Sequence, residues 1–171
     1  MLTTRILLAL VFVPMIVEAR LAAINERAQR ALGGVEPAGD VYAIMRVAYP
    51  GVFLAMIAEG AWRGAAVGRF AAVGFGLFAL SKALKWWAIA SLGSAWTFRV
   101  IVRPGMRLVA TGPYRWLRHP NYVAVAGELA GVALMSGARI AGPIGALLFG
   151  LLMLKRIGVE ERALSGSGRW I

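Results

Sequence analysis

Long apolar runs separated by short polar stretches set the pattern of this chain. A helix that crosses a bilayer needs ~20 mostly apolar residues. Residues 6–24 form the first such run, interrupted by Glu18 and Arg20 near its end. Residues 44–61 form the second, after the turn-rich stretch 33–40. The third begins at Ala65 and reaches about Leu80. It is predicted to continue as helix through Lys82, Lys85, Trp86 and Trp87 to the membrane interface, a depth that indole rings favour. The fourth spans 122 to about 136. The fifth spans 144 to about 154 and continues in water to Leu164. Residues 137–143 make a tight connection, so the last two helices form a hairpin. Residues 91–121 are polar and basic. Within them, 96–102 alternates enough to predict extended chain, and Arg103-Pro104-Gly105 predicts a turn.

The pattern predicts an all-α integral-membrane protein with about five transmembrane helices. Residues 1–171 form one domain, with three N-terminal spans in 1–90 and the loop, hairpin and C-terminal helix end in 91–171. A cleaved signal peptide is the rival reading of the first run. Its basic lead is only Arg5, and the run outlasts the usual ~7–15-residue signal core, which favours a retained helix.

Composition agrees. Sixty per cent of the residues are hydrophobic and 16% charged, against roughly 25% charged in an average soluble domain. An ordinary soluble fold and a disordered chain are excluded. The absence of cysteine excludes a disulfide scaffold, thiol nucleophiles and thiolate metal sites. A single histidine leaves no apparent metal site. The net charge of +11 suggests nucleic acid in a soluble protein, but here it suggests cytoplasmic loops. Residues 82–118 and the C-terminal end are rich in Lys and Arg, and five spans put both on one side with Arg27 and Arg30. The positive-inside rule then places the large basic loop and the C-terminus in the cytoplasm and the N-terminus outside.

Two clusters carry candidate chemistry. The first is 108–122, which packs two glycine/proline turn signals, Tyr114, Trp116, Arg115, Arg118 and His119 against the start of the fourth helix. Pro120 suits a first helical turn, where its missing N–H costs nothing. Free N–H groups there make a site for an anionic group such as a carboxylate. The second is Lys155-Arg156-Ile157-Gly158-Val159-Glu160-Glu161-Arg162, where Arg156 and Glu160 share a helix face. Glu160 and Glu161 suit an ammonium or ribose hydroxyls. The hairpin brings the two clusters to one membrane–water boundary. Each also has a plainer reading: His119 as a cap, Arg115 and Arg118 on lipid phosphate, the acidic pair as a solvated helix end. Glu128 lies in an apolar run, where an acid faces the bundle interior. It reads as a functional acid or as the partner of an arginine. Gly127 and Gly131 at GxxxG spacing read as close helix packing, as does Gly74-Phe75-Gly76.

The string Leu108-Val109-x-x-Gly112-x-Tyr114-x-x-x-Arg118-His119-Pro120-x-Tyr122, followed by a hairpin and Arg156-x-x-x-Glu160-Glu161, resembles the isoprenylcysteine carboxyl methyltransferase family. The resemblance covers about 106–164. It implies an integral-membrane, S-adenosylmethionine-dependent methyltransferase. Its cofactor pocket would be formed on the cytoplasmic side by the 91–121 loop, the hairpin and the C-terminal helix end. Cofactor contacts are implied at Leu108, Val109, Tyr114, His119, Pro120, Asn121, Tyr122 and Glu160, with Glu161 beside them, and a substrate-facing role at Arg156. Met106 stands where the family commonly has His, and Ala124 where it has Gly. In the N-terminal half, Glu18-Ala-Arg20, Asn25-Glu26-Arg27, Gly33-Gly34-Val35-Glu36 and Tyr42-x-x-Met45 resemble small bacterial members that methylate alkylpyrones or alkylresorcinols.

The implied acceptor is thus a polyketide hydroxyl or a prenylcysteine-type carboxylate, with the bilayer as partner and neither nucleic acid nor metal. Arg156, Arg118 and Glu128 are the candidate catalytic groups. A carboxylate or acidic enol is already ionised at neutral pH; a phenol needs a base, for which His119 and Glu128 are nearest in sequence. Competing classes are a sterol-reductase-like NADPH oxidoreductase and a non-enzymatic transporter or scaffold.

Overall fold

In hydrocarbon every backbone N–H and C=O must be satisfied without water, and a helix does this within one segment. The computed structural model describes residues 2–64, 70–103, 105 and 109–165. It has five α-helices: α1 (Leu2–Ala31), α2 (Tyr42–Trp62), α3 (Ala71–Leu92), α4 (Pro120–Ser136) and α5 (Ala141–Ser165). Short 3-10 turns at Gly93–Ala95 and Gly112–Arg115 lie between α3 and α4. Among the described residues four helices are long and apolar enough to cross a membrane: α1, α2, α3 with its 3-10 extension, and α5. The fifth, α4, has 17 residues and is enclosed by its neighbours, with Ala124, Glu128, Leu129 and Val132 at most 1% exposed.

The helices follow the hydropathy pattern but outrun it. α1 continues to Ala31 because Asn25 and Gln29, polar in sequence, are buried against the loop after α3. Pro14 and Pro50 lie inside α1 and α2. Residues 65–69 of the expected third run lie outside the described residues, and α3 starts at Ala71. The extended chain expected at 96–102 appears as a single antiparallel bridge, Val35 with Val102. Of the expected turn after it, Pro104 lies outside the described residues, and Gly105 has φ +70°.

Glu59, near the end of α2, accepts the backbone N–H groups of Arg139, Ile140 and Ala141 at 2.7–3.1 Å. It thereby caps the start of α5 and ties the hairpin turn to α2. Thr3, Ala71 and Ser136 line a cavity of about 410 Å³ near this end. The helices therefore alternate in direction. The opposite face gathers the ends of α1, α3 and α5 and the starts of α2 and α4.

The closest packing is between α3 and α4. A Cβ on Gly131 would stand 2.8 Å from the Gly74 carbonyl oxygen and 2.9 Å from the Phe78 nitrogen. Gly127 faces Ser81 in the same way. These glycines perform the packing expected of them, except Gly76, which faces open space. Outer faces are apolar and exposed, as at Val47, Val73, Leu80, Leu147 and Leu151, which suits contact with lipid chains.

Charge is buried at the centre of the bundle. Lys82 lies 2.7 Å from Glu18 and 3.1 Å from Glu128; Lys85 lies 2.9 Å from Glu18 and 3.2 Å from Glu128. The Tyr49 hydroxyl donates to Glu128 at 2.5 Å. This corrects one expectation, that of an arginine beside Glu128. The third helix continues through Lys82 and Lys85 to Leu92 as expected, with both lysines turned inward toward two carboxylates. Glu128 is partnered by lysines and a tyrosine, not by an arginine.

Removing Lys85 leaves two buried carboxylates with one ammonium, a loss that typically costs about 3–5 kcal/mol. Lys85→Met is expected to lower the unfolding midpoint in detergent sharply, and Gly131→Leu to do the same by separating α3 from α4. Gly76→Ala should leave the midpoint in place. A Lys85→Met protein as stable as the parent would show that the charge cluster does not hold the bundle.

Candidate active site

Local chain chemistry builds the site from two helix ends and two loops. His119 precedes α4 without capping it through its side chain, and Pro120 opens the helix. Upstream, Gly112 begins the 3-10 turn with φ +59°. A side chain there would strike the Ser91 hydroxyl and stand 3.1 Å from the Trp87 indole nitrogen, so glycine is what lets this loop lie on α3. Tyr114 is thereby held half-buried beside α5. Burial, and secondarily the charge of Glu160, raises its pKa well above the ordinary phenol value. Tyr114 is a neutral hydroxyl, not a base.

The end of α5 meets this loop. The Tyr122 hydroxyl donates to Glu160 at 3.0 Å and accepts from Arg156 Nε at 2.9 Å. His119 Nδ1 is 3.7 Å from Glu160, and its Nε2 is 3.2 Å from Glu161. The two clusters, far apart in sequence, are one constellation. Arg156 and Glu160 interact through Tyr122 rather than by pairing directly.

A strap over 93–102 closes the constellation from α1 and the turn after it. Asn25 donates to the carbonyls of Gly93 and Trp96, and Gln29 to that of Ser94. Arg99 pairs with Glu26 at 3.2 Å and Glu36 at 2.8 Å and lies over the Tyr42 ring. Asp40 accepts from the Tyr42 and Val100 backbone nitrogens at 3.0 and 2.9 Å and lies 3.5 Å from Arg156 Nη1. Arg156 Nη2 donates to the Phe98 carbonyl.

Between these parts is a cavity of about 360 Å³. It is lined by Val109, Tyr114, Arg118, His119, Pro120, Asn121, Tyr122, Arg156 and Glu160 of the residues expected from sequence. Met45, Val125, Phe149 and Met153 give it apolar walls, and Tyr49 and Lys85 line it as well. Glu161 stands behind His119 and is not in the lining. Glu128 is also outside the lining, behind Tyr49 and Lys85. Leu108, with Met106, lies outside the described residues. The side-chain oxygen of Asn121 is buried and has no hydrogen-bond partner, an acceptor left over beside the cavity. Among the described residues no group of three or more His, Asp or Glu side chains is arranged to hold a metal ion.

The profile of the isoprenylcysteine carboxyl methyltransferase (ICMT) family matches residues 72–166, more than half of the chain. The chain belongs to this family. The match starts at the beginning of α3 and takes in both clusters of the cavity wall, 109–122 and 156–161, while the strap's partners in α1 and the turn after it precede it. Two relatives extend the likeness to the N-terminal helices. The uncharacterized protein YpbQ of Bacillus subtilis is 29% identical over 160 residues, covering 93% of this chain and 95% of its own. An uncharacterized protein of Haemophilus influenzae is 23% identical over 142 residues, covering 82% and 83%. No solved structure gives a significant match. ICMT membership makes this a membrane methyltransferase and sets aside the reductase and transporter readings.

Asp40, Arg46, Tyr49 and Arg99 line or support the cavity and were not among the sequence candidates. Asp40 had a signal: an acid two residues before an apolar helix is a start mark. Tyr49 and Arg99 had none, since their partners lie 79 and 63 residues away.

Asp40→Ala removes the acceptor of two backbone N–H groups and the charge beside Arg156. Stranding such donors costs about 1–3 kcal/mol. The expected outcome is a lower unfolding midpoint with faster amide exchange at Val100; unchanged exchange there would show that Asp40 does not hold the strap.

Proposed function

We propose that this chain is an S-adenosylmethionine-dependent integral-membrane O-methyltransferase acting on a lipophilic acceptor. The single observation that carries the reading is the meeting of the α4 start with the α5 end through Tyr122, Arg156, Glu160 and His119 in one cavity. The residues present fit the cofactor. Glu160 suits an ammonium or ribose hydroxyls, and the α4 start suits a carboxylate. The orphaned Asn121 oxygen suits an N–H donor. Val109, Tyr114 and Tyr122 offer apolar and aromatic surface. When bound, the cofactor supplies an electrophilic methyl group.

This chain's residues then align and desolvate. Holding two reactants in line contributes up to about 7–11 kcal/mol. Arg156 donates to Tyr122 and to the Phe98 carbonyl, lies 3.5 Å from Asp40, and keeps other N–H groups for an acceptor oxygen. Those contacts hold the guanidinium in place, which is what a positioning group requires. Arg118 lines the same wall. Glu128 is a supporting acid, acting through Tyr49 and Lys85. The apolar walls suit a greasy acceptor: an alkylpyrone or alkylresorcinol hydroxyl, by the N-terminal likeness, with a prenylcysteine-type carboxylate as the second reading.

The chain crosses the bilayer five times in this reading, with α4 as the enclosed span. The cavity end faces the cytoplasm and the N-terminus lies outside, in line with the excess of Lys and Arg near the cavity end. The absence of cysteine makes a topology test clean. A cysteine at Leu2 is expected to react with an impermeant maleimide outside intact cells, and one at Leu32 only after lysis. The reverse pattern would invert the assignment.

Glu160→Ala is expected to weaken S-adenosylmethionine binding at least tenfold in calorimetry. Arg156→Ala should abolish turnover while the protein remains folded. Lipid extracts from cells with and without the protein should differ by one added CH₂ on the acceptor by mass spectrometry. Full activity in either variant would remove that residue from the reaction.

A further inference from the structure

We propose that Asp40 is a positioning residue that holds the Arg156 guanidinium away from Glu160, and so keeps Glu160 open to the ammonium or ribose hydroxyls of the cofactor. This rests on the methyltransferase reading above and adds to it a residue that precedes the family's matched stretch.

Among the described residues Glu160 is the one carboxylate in the cavity lining, beside the basic side chains of Arg46, Lys85, Arg99, Arg118 and Arg156 and the ring of His119. A ligand that carries an ammonium and ribose hydroxyls therefore depends on whether Glu160 is already engaged. Lys85 is held by Glu18 and Glu128, and Arg99 by Glu26 and Glu36. Arg46 and Arg118 are exposed. His119 Nδ1 stands 3.7 Å from Glu160. Arg156 is the cation best placed to take Glu160. It lies one turn away on the same face of α5, where an arginine and a glutamate four apart are neighbours. It is also buried, so a direct pair would be poorly screened.

The two do not pair. The Tyr122 hydroxyl stands between them, accepting from Arg156 Nε at 2.9 Å and donating to Glu160 at 3.0 Å. Another nitrogen of the same guanidinium, Nη1, is 3.5 Å from Asp40 Oδ1. Asp40 is not an ordinary turn residue. Its side chain is 1% exposed, and a buried carboxylate requires a cation within reach. Its two oxygens accept the backbone N–H groups of Tyr42 and Val100, which fix the anion between the start of α2 and the strap. An Asx turn before a helix explains the bond to Tyr42 and leaves the contacts to Val100 and Arg156 unexplained. A fixed anion explains both. It draws the guanidinium toward the strap, where Nη2 also donates to the Phe98 carbonyl. With that charge gone, the carboxylate left on Arg156's own helix face is Glu160, and the guanidinium can take it in place of the ligand.

A double-mutant cycle separates this role from simple support of the strap. The full chain is placed in phosphatidylcholine nanodiscs, and the affinity for S-adenosylhomocysteine, which keeps the ammonium and the ribose hydroxyls, is measured by calorimetry. Absence of binding by the parent would overturn the methyltransferase reading, and this inference with it. Asp40→Asn keeps the shape and one acceptor oxygen but removes the charge. It is expected to weaken binding about tenfold, the scale of one charge-assisted contact. In an Arg156→Met background the same change is expected to leave the affinity where Arg156→Met put it, because no guanidinium remains to take Glu160. A loss of equal size in both backgrounds would show that Asp40 only holds the strap, and would overturn the inference. An Asp40→Asn protein that binds like the parent would overturn it as well. If Asp40→Asn does not fold, Asp40→Glu takes its place in the cycle. It keeps the charge but moves it by one methylene, and a smaller loss is expected that again disappears with Arg156→Met; a loss that persists there overturns the inference.

Discussion

Two carboxylates and two ammonium groups share the centre of this bundle, and the rest of the arrangement depends on their mutual neutralisation. Glu18 comes from α1, Lys82 and Lys85 from α3, and Glu128 from α4, with Tyr49 of α2 completing the set. No single helix can bury its own charge in hydrocarbon, where each would cost several kcal/mol. Together they can. The cluster thereby joins four helices that apolar packing alone, in a solvent as greasy as the side chains, would not orient uniquely. It also fixes how α3 and α4 turn about their axes, which puts Gly74 opposite Gly131 and Tyr122 toward α5.

From that centre the polar side of the bundle follows. α4 rises from Glu128 to Tyr122 in under two turns, so the tyrosine's direction is set by the acid below it. Its hydroxyl then meets Arg156 and Glu160, one turn apart on α5. A cavity with a charged, hydrogen-bonded rim and apolar walls results. In the proposed reading that combination suits a water-soluble ligand from one side and a lipidic one from the other.

Much of this was legible in the sequence because a membrane imposes few choices. Five apolar runs become five helices, and the tight connection expected over 137–143, shortened to 137–140 in the structure, makes a hairpin. The hairpin brings 118–122 against 156–161, and the motif residues on both therefore meet. What stayed hidden was pairing across long separations. Lys82 and Lys85 sit near the end of an apolar run, where a lysine ordinarily reaches for water. The positions of Glu18, 64 residues before Lys82, and of Glu128 turn them inward. Arg99, one of the cations of the basic stretch 82–118, is clasped by Glu26 and Glu36. Glu161 looked equivalent to Glu160, yet one step along a helix rotates a side chain by about 100°, enough to leave the cavity.

The strap over 93–102 is strung between α3 and α4 in sequence, but its hydrogen bonds run to Asn25, Gln29, Glu26, Glu36 and a backbone pair at Val35. Mechanically it belongs to the first helix and the turn that follows. Those residues precede the family's matched stretch, which opens at residue 72. The motif-bearing half of this protein is therefore not freestanding: its ceiling is hung from the part of the chain that the family pattern omits, and a protein cut at that border would keep its motif and lose its roof.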